Sequence, residues 1–291
     1  MAHGGARAGA RRGRAGLLGV LAAGLIALGA VPAVHGQATE GAPVFEQSAP
    51  VPETAAVASR AAGPPARDAT CRPSVPAVAP VAGQSVAIDR GPAECNTVAL
   101  TFDAGADRGY AELILDILRL HDVPATFGMT GAWADANEDV IQRMAEDGHQ
   151  FINHTWSHRS FTGFSPRTRP LAVGERRLEL DRTEELLLGL TGRTTRPYFR
   201  PPYGDLNAGA LADVADAGYE YTIMWTVDSF GWNKLPTAGI INRCLTRAEP
   251  GAIYIFHVGA ESEDALALGA IIEGLRERGL GFATVTDLLG L

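Results

Sequence analysis

VALTFD, residues 98–103, is a short run of apolar residues and one Thr that ends on a carboxylate. A strand of a parallel sheet is buried on both faces and reads as such a run, and the pattern around this one repeats. From Asn96 onward, runs near 97–102, 124–130, 149–153, 197–200, 219–227, 252–257 and 282–285 alternate with amphipathic stretches near 109–121, 136–147, 172–190, 207–217, 237–247 and 263–278. Asp122, Gly148, Gly192, Gly218 and Gly279 fall where the helices should stop. Alternation of this kind builds βα units around a parallel sheet, and seven strands predict an α/β barrel of fewer than eight units. In such a barrel the chemistry belongs at the C-terminal ends of the strands.

Reactive side chains do cluster there. Asp103 ends the first strand, His154 and His158 follow the third, Arg200 closes the fourth, Asp228 the fifth and His257 the sixth. One helical turn across HTWSH would put both imidazoles on one side, able to share a metal ion. Asp103 and Asp228 end apolar strands, where an unpaired carboxylate is costly to desolvate. Arg200 and His257 are their expected partners, one guanidinium holding a carboxylate and one carboxylate orienting an imidazole; two structural ion pairs are the plainer reading. In RPPYG, residues 200–204, two prolines fix the backbone and a glycine lets it turn, which suits a rigid loop presenting an N–H to a developing oxyanion. Trp232 either walls a small apolar pocket or covers the rim, while Tyr219, Tyr221 and Trp225 read as packing.

Upstream, the composition changes. Asp and Glu outnumber Lys and Arg 33 to 25, yet the first 36 residues carry Arg7, Arg11, Arg12 and Arg14 and no acid. The remainder is therefore more acidic still, which disfavours nucleic acid as a partner, because phosphate backbones need clustered bases. The uncharged stretch 17–34 after an arginine-rich start is laid out as an export signal, cleaved or retained as a membrane anchor. Nine of the 18 prolines lie between 37 and 92 with no lasting hydrophobic period, so this part reads as a semi-extended spacer. The expected organisation is residues 1–36 signal peptide or anchor, 37–95 linker and 96–291 folded domain, in an exported, monomeric protein. Cys71, Cys95 and Cys244 permit one disulfide, with three pairings open.

Five motifs, TFDAG (residues 101–105), HTWSH (154–158), RPPY (200–203), DSFGW (228–232) and IFH (255–257), together resemble the NodB-like polysaccharide deacetylases of carbohydrate esterase family four. The resemblance covers residues 96 to about 288. It implies a distorted (β/α) barrel with about seven parallel strands, and metal-dependent removal of N-acetyl groups from the amino sugars of a polysaccharide, peptidoglycan or a chitin-like glycan. By that likeness Asp103 is the base that activates water, and His154 and His158 are metal ligands, for zinc or a similar divalent ion. Arg200 positions the base, Tyr203 gives its backbone N–H to the oxyanion, Trp232 and Ile255 line the acetate pocket, and His257 is the acid, oriented by Asp228.

There are two departures. The family usually has a second aspartate after the first, completing a His-His-Asp triad, and here that residue is Ala104. Asp107 is the expected substitute, with Asn153 behind it. Gly231 also stands where many members have aspartate. The competing readings are a non-catalytic glycan-binding module and a wall-spanning scaffold in which the spacer matters more than the barrel.

Overall fold

The computed structural model describes residues 79–291; the expected signal and most of the expected linker, with Cys71, lie outside them. Among the described residues nine strands run in the order β1 (Val86–Ile88), β2 (Thr97–Ala104), β3 (Thr126–Met129), β4 (Gln150–Asn153), β5 (Tyr198–Phe199), β6 (Tyr221–Ile223), β7 (Val227–Asp228), β8 (Ile253–His257) and β9 (Gly281–Phe282). The helices among the described residues are α1 (Ala111–Leu120), α2 (Gly131–Ala136), α3 (Glu138–Glu146), α4 (Val173–Thr191), α5 (Ala208–Asp216), α6 (Thr237–Thr246), α7 (Asp264–Glu277) and α8 (Val285–Leu289). All the strand pairings are parallel, in the order β1-β6-β5-β4-β3-β2-β8-β7, with β9 beside β2.

The sheet curls until its edges approach. Met224 N–H donates to Ile88 O at 2.7 Å, and two residues later Thr226 N–H donates to Ile253 O at 2.8 Å, so the link between β6 and β7 bonds to β1 at one edge of the sheet and to β8 beside the other. The fold is thus a distorted, incompletely hydrogen-bonded barrel of parallel strands. The expected single strand 219–227 divides at this link, because its first part pairs with β1 and β5 and its second with β8.

Strand alternation puts a core on each face of β2. Val98, Leu100, Phe102 and Ala104 of β2 face the helices, where Phe102 stacks on Phe127 and Phe256, each at 5.3 Å. Helix α1 answers with Ala111, Ile114, Leu115 and Leu118, an i, i+3, i+4, i+7 stripe. Ala99 turns inward with Ile152, Tyr221, Ile223 and Ile253. Helix α8, where the sequence pattern led to a strand ending at 285, closes the N-terminal mouth. Its Leu288 and Leu289 join the inner core, and its Val285 and Thr286 N–H groups bond Thr126 and Gln150 at the starts of β3 and β4. The opposite mouth is left for chemistry.

One boundary needs correction. The folded domain begins before residue 96: β1 lies inside the expected linker, pairs with β6 and buries Ile88. Three apolar residues between polar neighbours are too few to show a period, and only the sheet edge makes them a strand. Among the cysteines, Cys244 is a buried free thiol and Cys95 is disulfide-bonded, which removes both pairings through Cys244.

Candidate active site

Asp103 is the hub. It sits one residue from the end of β2, in register with His257 on β8 and with Gly128 on β3. A Cβ at residue 128 would lie 2.3 Å from Asp103 Oδ1, so only glycine lets the carboxylate lean across β3. There it meets Arg200, whose Nη1 donates to Asp103 Oδ1 at 2.9 Å and to Thr101 Oγ1 at 2.8 Å. The same guanidinium, fully buried, donates from Nε to Ile223 O at 3.0 Å and from Nη2 to Met224 O at 3.2 Å. Burial is the largest influence on the Asp103 carboxyl and would raise its pKa, but Arg200, with His154 and His257, overrides it and holds the group below its usual range. The expected pairing of Asp103 with Arg200 is therefore present.

His154 presents Nδ1 to the Arg200 carbonyl at 2.9 Å and Nε2 to Asp103 Oδ2 at 3.6 Å. With Nδ1–H donating to that carbonyl, Nε2 keeps its lone pair toward the mouth. The His154 and His158 rings meet edge to face, centroids 4.9 Å apart. No helical turn brings them together. HTWSH is a loop in which Thr155 and His158 adopt φ of +68° and +57°, Thr155 Oγ1 accepts the His158 N–H, and Glu179 of α4 accepts the N–H groups of Trp156 and Ser157. Burial is the main reason both imidazoles resist protonation, His158 being pushed down to about 3.

Two neutral imidazoles suit a divalent ion; the third side of the site does not. Ala104 is buried against the helices. Asp107, the expected substitute, turns away, its Oδ1 accepting the Ala260 N–H at 2.9 Å. Asn153 is fully engaged: Nδ2 donates to Leu180 O and Tyr219 Oη, and Oδ1 accepts the Thr155 N–H. Among the described residues no group of three or more His, Cys, Asp or Glu is placed to hold a metal. The side chains present therefore fall short of the three-ligand set that zinc sites use.

The expected Asp228–His257 pair is not formed. Asp228 Oδ1 accepts the Phe230 N–H at 2.8 Å, and both carboxylate oxygens lie 3.2 Å from Trp232 Nε1. The turn after β7 bends this carboxylate toward its own loop. The carboxylate beside His257 is Asp264 at the start of α7, with Oδ2 3.8 Å from Nδ1 and 2.8 Å from the His257 backbone N. In sequence Asp264 looks like any acid in a helix's first turn, and nothing local marks it. Gly128 and Thr101 were equally silent, since their roles depend on strand register.

Around the mouth, Tyr203 holds φ of +61° in the turn after Arg200 and packs edge to face on His158 at 4.7 Å. Tyr203 and Trp232 are each 53% exposed, which gives the mouth two aromatic flanks open to solvent. Ile255 is buried in register with Thr101 and Asp228, two register pairs below Asp103 and His257 and on the same face of the sheet.

Comparison with known proteins bears on this geometry. Residues 90–222 match the polysaccharide deacetylase family. The chain is 31% identical to the peptidoglycan-N-acetylmuramic acid deacetylase PdaA of Bacillus subtilis, over 66% of this chain and 71% of that one. It is 32% identical to a peptidoglycan-N-acetylglucosamine deacetylase of Bacillus cereus, over 68% and 70%. Among solved structures, a CE4 family pseudoenzyme from Bacillus anthracis superposes with a TM-score of 0.63 at 29% identity, covering 73% of this chain and 70% of that one; a mutant of it is described as having restored enzymatic activity. Fold, motif order and sequence agree that the chain belongs to the polysaccharide deacetylase family.

Proposed function

We propose that the protein is an exported hydrolase that removes N-acetyl groups from the amino sugars of a polysaccharide, peptidoglycan first. The observation that carries this reading is the placement of an ionised, Arg-held Asp103 and a partly exposed His257 on adjacent strands at the barrel mouth. Asp103 takes a proton from water as its oxygen attacks the acetamide carbonyl. The oxyanion faces the Tyr203 backbone N–H. As the C–N bond breaks, protonated His257 gives its proton to the leaving amine, so acetate and a free amino sugar result. Trp232, tethered through Nε1 to Asp228, walls the acetyl pocket above Ile255, so Asp228 acts by positioning that wall. Export is supported by the arginine-rich start, by residues 17–34 and by the peptidoglycan deacetylases among the relatives.

Acetate released from peptidoglycan and from N-acetylglucosamine oligomers, assayed with and without added zinc or cobalt, tests the reading, with Asp103→Asn as the inactive control. Absence of acetate from every polymer with either ion added overturns it. A second reading, a glycan-binding module without turnover, is favoured by Ala104 together with the engagement of Asp107 and Asn153. Glycan retention that survives chelation, with no acetate formed, would select it.

A further inference from the structure

His257 and Asp264 face each other, each with one buried polar atom short of a partner. His257 Nδ1 has no hydrogen-bond partner, nor has Asp264 Oδ1. Asp264 is fully buried, and among the described residues the one basic side chain within ion-pairing distance of it is His257. A carboxylate in that position is costly unless a donor or a cation faces it. Its Oδ2 already accepts the His257 backbone N–H at 2.8 Å, which brings the same oxygen to 3.8 Å from Nδ1. A small rotation of the imidazole closes the gap. The His257 side chain is 30% exposed while Nδ1 is buried, so the ring shows the cleft its opposite edge, which carries Nε2.

Room for this carboxylate comes from Gly231. A Cβ there would lie 2.3 Å from Asp264 Oδ1 and 2.2 Å from Ser262 Oγ. Residues 231 and 264 therefore compete for one volume beside the imidazole, and a carboxylate can enter it from either. Asp228 cannot serve, being engaged by the Phe230 N–H and Trp232.

We propose that Asp264 is the positioning residue of His257, accepting Nδ1–H so that Nε2 is the nitrogen turned to the cleft. The orientation of the ring stands on geometry alone; its consequence for turnover rests on the deacetylase reading.

Ring-nitrogen NMR of the full-length chain tests the first part without any assay of activity. The wild type should show His257 mainly as the Nδ1–H tautomer, and Asp264→Ala should shift it toward Nε2–H. The double variant Gly231→Asp, Asp264→Gly, which returns a carboxylate to the same volume from the other side, should recover the wild-type tautomer. Thermal melting identifies any variant that fails to fold, and the wild-type tautomer by itself remains decisive. Where acetate release is measurable, Asp264→Ala should lower kcat roughly tenfold or more with KM unchanged, and the double variant should regain much of it. A wild-type His257 that is mainly Nε2–H, or an Asp264→Ala chain with an unaltered tautomer, overturns the proposal. The Nδ1–H tautomer in a chain that releases no acetate leaves the proposal standing and removes the deacetylase reading instead.

Discussion

Arg200 holds Asp103 through Nη1 at 2.9 Å, while its other nitrogens are fixed by the carbonyls of Ile223 and Met224. The bridge spans strands that are far apart in the sheet order, β5 and β2, so it ties the barrel together as it fixes the carboxylate. Removing the cation leaves a buried charge alone. Arg200→Met should cost about 3–5 kcal/mol in urea denaturation at neutral pH. Arg200→Lys should recover only part of this, because an ammonium cannot serve the two carbonyls, Thr101 and Asp103 in one planar arrangement.

Gly128 gives a sharper probe of the same carboxylate. A methyl there lies 2.3 Å from Asp103 Oδ1, so Gly128→Ala should push the carboxylate off Arg200. The expected outcome is a loss of about 1–3 kcal/mol, as for other overpacked sites, with acetate release falling to the level of Asp103→Asn. Gly174→Ala is the control: it lies in α4 with nothing near its added Cβ. It should leave activity intact and stabilise the chain by up to about 1 kcal/mol.

Ala104 leaves the two imidazoles without the neighbouring carboxylate that would complete a three-ligand set. An ideal Cβ on the next residue, Gly105, is 3.4 Å from the His158 ring, so this stretch of chain runs beside the two imidazoles. Ala104→Asp, whose carboxylate the cost of desolvation drives out of the apolar packing against the helices and toward the mouth, should tighten zinc binding at least about tenfold, a gain of roughly 1.4 kcal/mol, in isothermal calorimetry. His154→Ala in the same background should abolish the gain. Equal affinities in the Ala104→Asp variant and the parent chain would show that a carboxylate added beside the two imidazoles does not join them around an ion.

Glu184 sets an acid limit on stability. It accepts from the Thr194 and Thr195 hydroxyls and the Thr195 N–H, with Arg196 Nη1 at 3.0 Å. Burial, the largest influence, would raise its pKa, but these donors together hold it below the ordinary 4.5. A carboxyl depressed on folding stabilises the native state above its unfolded pKa, and that stabilisation is lost as pH falls through the folded value. Relative to Glu184→Gln, the parent should be more stable at neutral pH, and the difference in urea midpoint should shrink once pH drops below about 4.5. A constant difference across that range would show that the carboxylate is not the cause.

Local information carried most of the frame. A short apolar run ending on Asp103 specifies a buried strand with a carboxylate at its tip, and desolvation then demands a partner, which is why a partner at a neighbouring strand end could be read from the sequence, while its identity as Arg200 came from the motif likeness. The helix starts and stops followed for the same reason, since caps and amphipathic stripes depend on neighbours within a few positions. What the tertiary structure alone decided is which distant groups share a volume. β1 is a strand only because β6 offers it an edge, and residues 219–227 divide because their two halves pair with opposite ends of the sheet. Asp107 turns to Ala260, and Asp264 takes the place at His257 that Asp228 was expected to hold. Those outcomes rest on strand register and loop direction, where contacts between residues far apart in the chain set the free energy and no short stretch of sequence records it.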